Sequence, residues 1–294
     1  MSRLSCCFVS RTWSIAFLIV AMGIASSGRC EEFSLYPDDH ISIVGNTLAE
    51  RMQHDGWLEA TLHARLPSHH LVIRNLGYSG DEITLRLRSQ DFGTPDSWMM
   101  KNATNVIFAF FGYNESMAGP EGLDQFKNNL DQFLKHTAGQ KYNGKSAPRI
   151  VLFSPIAHED IHSRHLPDGT ANNVRLEVYT EAMRQVAEAN QVKFVDLFHP
   201  FLEAIRVSTF EQSPLTINGI HLNDKGNRWL AEEIDRQLFG RPNPGKERLD
   251  KIRTAVMDKN FYWFNRYRTV DGFSIYGGRA DLQFTNGQTN REVM

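Results

Sequence analysis

Between His40 and Phe239 the chain alternates two hydrophobic periods. Runs rich in β-branched and aromatic residues fall at Ile41 to Val44, Leu71 to Asn75, Asn105 to Phe111, Arg149 to Phe153 and Val192 to Leu197. Polar, glycine or proline residues bound each run, so each reads as a strand. Between them, Leu48 to Leu66, Leu123 to His136, Val174 to Ala189 and Asp224 to Leu238 place apolar residues at intervals of three and four. That spacing predicts helices, with Leu176, Tyr179, Met183 and Val186 as the clearest case. The strand runs are nearly continuous in apolar character, as strands buried on both faces are. Alternation of such strands with helices predicts an α/β fold: a parallel five-stranded sheet in a three-layer α/β/α sandwich, flavodoxin-like in type.

The pattern changes after Gly240. The segment RPNPGKER, with two prolines and a glycine, marks a domain edge. Beyond it a helix is expected through Phe261 to Tyr267, then glycine-rich sequence around Gly277 and Gly278, then a polar run with no closing element. Residues 241–294 are expected to form a C-terminal extension, either an appendage or part of a longer chain. The cluster Phe261, Tyr262, Trp263 and Phe264, with Arg266 and Arg268, suits an accessory helix packed on its domain, or a surface for a sugar or partner.

At the other end, Arg3 and Arg11 precede an apolar run from Trp13 to Ile24, followed by the small residues Ala25 to Gly28. This is the layout of a cleaved secretory signal, residues 1–30, and the run is short for a membrane span. The expected location is secreted or periplasmic, with no stable membrane span in the mature form. Cys30, at the expected cleavage point, admits lipid attachment. Of the three cysteines, Cys6 and Cys7 lie inside the signal. Only Cys30 could remain, so the mature domain, residues 31–240, is expected to rely on its core and not on disulfides.

A length of 294 residues, 41% of them hydrophobic, supplies such a core, and a net charge of −2 with interspersed signs gives no footprint for nucleic acid. Small-molecule or carbohydrate substrates are the expected partners, and no cofactor is expected. His158, His162 and His165 fall at helical spacing in HEDIHSRH and would share a face for a metal if that stretch were helical. Pro155 and Pro167 flank it, so a polar loop at the rim of the pocket is the preferred reading and no metal site is assigned.

In an open parallel sheet, ligands bind at the carboxyl ends of the strands. The segments there are Gly45-Asn46-Thr47, Asn75-Leu76-Gly77-Tyr78-Ser79-Gly80-Asp81 and Gly112-Tyr113-Asn114-Glu115. Asn218-Gly219-Ile220-His221 precedes the last helix of this region. Singly these are turns and helix caps. In this order they resemble the four sequence blocks of the GDSL/SGNH hydrolases over about residues 40–240, roughly two thirds of the chain. The resemblance implies an ester hydrolase with Thr47 at the nucleophile position and His221 as general base. It puts Asn218 where the family has the aspartate that orients the histidine, and gives the oxyanion hole to the Gly80 N–H and the Asn114 amide.

Two positions depart from the family pattern. Thr47 replaces a serine and carries a methyl that crowds the line of attack. Asn218 replaces an aspartate, and in a serine triad that exchange lowers turnover about ten-thousand-fold. Asp81 and Glu115 both follow motif glycines and are candidate auxiliary acids or bases. The readings left open are an acyl esterase of carbohydrate or small extracellular esters, working with a non-standard triad, and an inactive binding or interaction module of a secreted assembly.

Overall fold

Five parallel strands form the centre of the protein in the order β2-β1-β3-β4-β5. The computed structural model describes residues 33–89, 91–243, 245–268 and 271–293, so the signal-like segment and Cys30 lie outside the described residues. In chain order the elements are β1 (His40–Gly45), α1 (Thr47–Asp55), α2 (Trp57–Arg65), β2 (Val72–Asn75), α3 (Pro95–Lys101), β3 (Val106–Phe110), α4 (Leu123–Ala138), β4 (Arg149–Phe153) and α5 (Thr170–Ala189). They continue with β5 (Lys193–Val195), α6 (Phe198–Phe210), α7 (Asp224–Phe239) and α8 (Leu249–Tyr267).

Alternate strand residues serve opposite faces of the sheet. Ile41, Ile43, Phe108, Phe110, Val151 and Phe153 enter one core with residues of α1, α2, α7 and α8. Val44, Ile107, Ala109, Ile150 and Leu152 enter the other with residues of α3, α4 and α5. These two cores make the three-layer α/β/α sandwich expected from the sequence, and every expected strand forms.

The helix expected over Leu48 to Leu66 is instead two. Gly56, at φ 67, closes α1 by donating its N–H to Met52 O, and α2 restarts at Trp57. A side chain at Gly56 would come within 2.9 Å of Met257 Sδ in α8, so the break lets the two segments pass closely. The helices α3 and α6 were not anticipated. The tail expected to lack a closing element holds a small antiparallel hairpin, Gln283–Thr285 with Gln288–Thr289.

The segment after Gly240 does not stand apart from the sandwich. Helix α8 packs on α1 and α2, and its residues at four-residue intervals serve the free edge of β2. Lys259 Nζ donates to Ile73 O at 3.1 Å, Trp263 Nε1 to Asn75 O at 2.7 Å, and the Tyr267 hydroxyl to Leu76 O at 3.1 Å. An edge strand presents a row of unpaired backbone groups, and one face of α8 satisfies three of them. The aromatic run read in the sequence thus divides. Trp263 and Tyr267 face the sheet, while Phe261 and Tyr262 are exposed.

Candidate active site

Strand order reverses direction between β1 and β3, and the ends of those strands carry the first and third motif segments. Gly45 ends β1 at φ 133, where a Cβ would lie 2.0 Å from Phe110 O. Only glycine lets β1 pass this close to the end of β3. The Asn46 N–H then donates to Phe110 O at 3.1 Å, and Asn46 Oδ1 caps α1 by accepting from Leu48 N at 3.1 Å. Thr47 becomes the first residue of α1 and lines a cavity of about 140 Å³. Phe110, Phe111 and Ile156 give the cavity apolar walls, and Thr47, Asn114 and His221 are among the polar residues that line it.

His221 is held by the turn before α7. Glu159, 2% exposed, accepts hydrogen bonds from Leu215 N, Thr216 N, Thr216 Oγ1 and Ser208 Oγ, and its own N–H donates to Gly219 O. A buried carboxylate with four donors fixes this turn against the end of β4. Gly219, at φ 90, is a second requirement, because a Cβ there would lie 2.5 Å from His158 Nε2.

Within the turn, Asn218 Oδ1 accepts from His221 N at 3.0 Å and from Ile220 N at 3.4 Å. These two backbone donors decide which end of the amide is oxygen. The nitrogen is then the atom 3.0 Å from His221 Nδ1. An amide N–H donates, so Nδ1 accepts and the neutral ring carries its proton on Nε2. A general base in this family needs the opposite tautomer. Burial pushes His221 below the usual imidazole value, the Arg51 guanidinium pushes the same way, and Glu50 opposes both. The ring is neutral at physiological pH, with a donor where the family has an acceptor.

The second motif segment forms a turn closed by Asp81 N donating to Tyr78 O at 3.0 Å, with Gly80 at φ 86. It is clamped from several directions. Tyr78 lies between the Arg88 guanidinium, 4.0 Å from its ring centroid, and that of Arg268, at 3.4 Å. Ser79 Oγ donates to Glu50 Oε2 at 3.0 Å, and Asp81 holds Arg88 in a bidentate pair at 2.7 Å. Burial alone would raise the Glu50 carboxyl; the His54 and Ser79 bonds and nearby Arg268 outweigh it and hold it below the usual range. Arg268 follows α8, so the C-terminal segment takes part in this clamp.

The structure therefore brings together Thr47, Asn114 and His221 around one cavity, with Asn218 behind the histidine. Gly80 is exposed and is not part of the cavity wall. It joins the site through Asn114, whose Nδ2 donates to Asp81 O at 3.1 Å and keeps its second N–H for a ligand.

Asp81 and Glu115 do not serve as auxiliary acids or bases beside His221. Both Asp81 oxygens face Arg88. Glu115 Oε1 accepts from Ile83 N at 3.0 Å and Oε2 from Gly112 N at 2.8 Å. Burial raises the Glu115 carboxyl, and the backbone N–H bonds it accepts offset part of that. Both residues follow motif glycines, but each is spent on structural partners, Asp81 on Arg88 and Glu115 on the Gly112 and Ile83 amides. HEDIHSRH is a loop in which His158 is buried and His162 and His165 are exposed, so the three share no face. Sequence reasoning weighed Glu159 only beside those histidines and missed its part in holding the His221 turn.

The GDSL-like lipase/acylhydrolase family model matches residues 43–229, which span all four motif segments. The chain belongs to that family. The family is one of ester hydrolases, and this chain carries its four motif segments with the two substitutions described above. Solved structures agree in architecture. A protein described as a GDSL-like lipase from Parabacteroides merdae superposes with TM-score 0.54 at 17% identity, covering 70% of this chain and 98% of that one. A catalytic mutant of Axe2, an acetylxylan esterase from Geobacillus stearothermophilus, gives 0.52 at 16%, covering 69% and 95%. A gut microbial diltiazem-metabolizing enzyme gives 0.56 at 15% and 70% of this chain, which spans 48% of that longer protein. At these identities the likeness is one of fold. A search of curated proteins found no match.

Proposed function

We propose that the protein slowly hydrolyses esters of short acyl groups carried on a carbohydrate or another small extracellular molecule. The observation that carries this reading is the meeting of Thr47, Asn114 and His221 in one cavity at the sheet's switch point. Apolar walls and a volume of about 140 Å³ suit a short acyl chain. The acyl carbonyl oxygen would receive the free Asn114 N–H as negative charge develops on it, with the Gly80 turn holding Asn114 in place through Asp81 O. Thr47 Oγ1 attacks, or holds the attacking water, and His221 takes the proton.

Slowness follows from the tautomer. His221 acts as a base at Nε2 only when Asn218 gives up its present arrangement, so a small fraction of the molecules is competent at any moment. The acetylxylan esterase among the structural neighbours supports an acetylated sugar as the first substrate class to try. The signal-like amino-terminal segment supports an exported location, with Cys30 as a site for lipid attachment.

One observation favours a second reading. The Asn218–His221 bond makes His221 a hydrogen-bond donor toward the cavity, which suits a module that binds an ester or sugar without cleaving it. Hydrolysis of a chromogenic acetate ester by the purified protein, beside His221→Ala, separates the two. A rate lost in the variant supports the esterase. Equal or absent rates in both would leave the binding module.

A further inference from the structure

A second cavity, of about 340 Å³, adjoins the first. Tyr113 and Ile220 line both, and the loop after β4 and the first turns of α5 supply most of the remaining wall, with Met117 and Asn218. Asn172 is the hub of that wall and is buried. Its Nδ2 donates to the Tyr113 hydroxyl oxygen at 3.2 Å and lies 3.3 Å from His158 Nδ1, while its Oδ1 accepts from Arg175 Nη2 at 3.2 Å. Because the amide gives its two hydrogens to Tyr113 and His158, the tyrosine keeps its own O–H to donate, and the neutral histidine carries its proton on Nε2.

The Tyr113 O–H is therefore free to donate. Arg175 Nε is buried without a hydrogen-bond partner, and among the described residues no carboxylate pairs with Arg175. The acidic residue on the wall, Asp168, is exposed, and its Oδ1 already accepts the Thr170 N–H at 2.9 Å. A half-buried guanidinium without a counter-ion, beside a free phenolic donor, calls for an anion that accepts from both.

We propose that this second cavity is a subsite for an anionic group, a carboxylate or a phosphate, on the alcohol part of the substrate, held by Arg175 and the Tyr113 hydroxyl. The assignment to the alcohol part rests on the esterase reading, since the acyl part fills the inner cavity and the leaving part crosses Tyr113 and Ile220. The anion subsite itself does not depend on that reading.

The test is calorimetric titration of the full chain with glucuronate, glucose 6-phosphate and glucose, repeated with Arg175→Gln and Arg175→Lys. One of the anions should bind about 10-fold or more tighter than glucose, the size of one charge-assisted hydrogen bond. Which of them does so identifies the anion. The advantage should vanish in Arg175→Gln and survive in part in Arg175→Lys. If Arg175→Gln does not fold, Tyr113→Phe should weaken the anion and leave glucose unaffected. Failure of either anion to surpass glucose, or an advantage that survives Arg175→Gln, overturns the proposal.

A kinetic arm compares acetoxyacetate with its neutral amide, and the charged ester should have the higher kcat/KM. Arg175-dependent anion binding without hydrolysis of either ester would leave the subsite standing and remove the esterase reading. Hydrolysis of both esters at equal kcat/KM with no anion binding would do the reverse.

Discussion

Asn218→Asp is the most informative single change in this protein, because it exchanges a neutral donor for a charged acceptor beside His221 Nδ1 and changes almost no shape. A carboxylate oxygen can accept from His221 N and Ile220 N as Asn218 Oδ1 does now, at 3.0 and 3.4 Å. The other oxygen would then accept from Nδ1–H, where the amide nitrogen now donates at 3.0 Å. The wild-type ring reaches the base-competent tautomer only by turning the amide over, which breaks both backbone bonds and faces N–H groups against one another. At about 1–3 kcal/mol for each group left unsatisfied, the barrier rises by about 2–6 kcal/mol. That range corresponds to about 30-fold to about 25,000-fold in rate, and the roughly ten-thousand-fold loss seen when a serine triad exchanges aspartate for asparagine falls within it. Asn218→Asp should raise kcat/KM on a short acetate ester by a factor in that range.

The pH profile provides an independent readout. Burial and Arg51 hold His221 below the usual imidazole value of about 6.5, and the neutral ring is the active form. Activity of the wild type should therefore persist as pH falls through 6.5 and decline only below it. A carboxylate beside Nδ1 favours the protonated ring, so Asn218→Asp should move the acid limb upward while raising the plateau. A folded variant with neither a faster plateau nor a displaced acid limb would refute the tautomer argument, and the present function of Asn218 would be confined to the turn.

Other predictions concern single contacts. Thr47→Ser, in the Asn218→Asp background, should add a further gain in acetate-ester turnover by removing the methyl, and Thr47→Ala should abolish any acyl-enzyme burst in stopped-flow kinetics. Tyr267→Phe leaves Leu76 O without its donor at the covered edge of β2 and should cost about 1–3 kcal/mol in urea unfolding. Glu159→Gln removes the charge from an acceptor that serves four donors, so unfolding should show a loss of about 2–4 kcal/mol and ester turnover should fall with the loosened His221 turn. Gly45→Ala puts a Cβ 2.0 Å from Phe110 O, and the soluble yield on expression should collapse.

The sheet was legible because its strands are nearly continuous apolar runs separated by helices of clear period, and strands buried on both faces leave little ambiguity about class. The boundaries were less so. Nothing in the apolar spacing of Leu48 to Leu66 distinguishes one helix from two, since Gly56 sits within an unbroken pattern and its role comes from the close pass of α8. The site divided in the same way. Thr47, Asn114 and His221 were found because the segments at the strand ends and before α7, taken in order, resemble the family's motif blocks. Asp81 and Glu115 were misassigned because sequence shows that a carboxylate is near the pocket and not which partner claims it. Arg88 and the Gly112 and Ile83 amides decide that, and two of those three partners lie beyond the loop that carries the carboxylate.

The extension after Gly240 shows why position in sequence is a weak guide to role. Its composition suggested an appendage, yet Lys259, Trp263 and Tyr267 satisfy the β2 edge, and Arg268 stacks on Tyr78 in the turn that presents Gly80. The family match covers residues 43–229, and residues beyond it support one of the matched motif loops.

The substitution at 218 has the opposite character. Asparagine and aspartate meet the same backbone demands, because either side chain offers an oxygen to Ile220 N and His221 N. The backbone bonds of the turn are therefore met by either residue. The chemistry differs by the location of a single proton between Nδ1 and Nε2. Whether the cavity is an esterase site or a binding site is accordingly a question about protonation, and measurements sensitive to it, such as the pH profile of Asn218→Asp or the nitrogen chemical shifts of His221, decide more than a further structure at the same contacts. Nitrogen shifts of the neutral wild-type ring should report the proton on Nε2. A proton on Nδ1 would mean that the Asn218 amide is turned the other way, and the rate gain expected from Asn218→Asp would shrink accordingly.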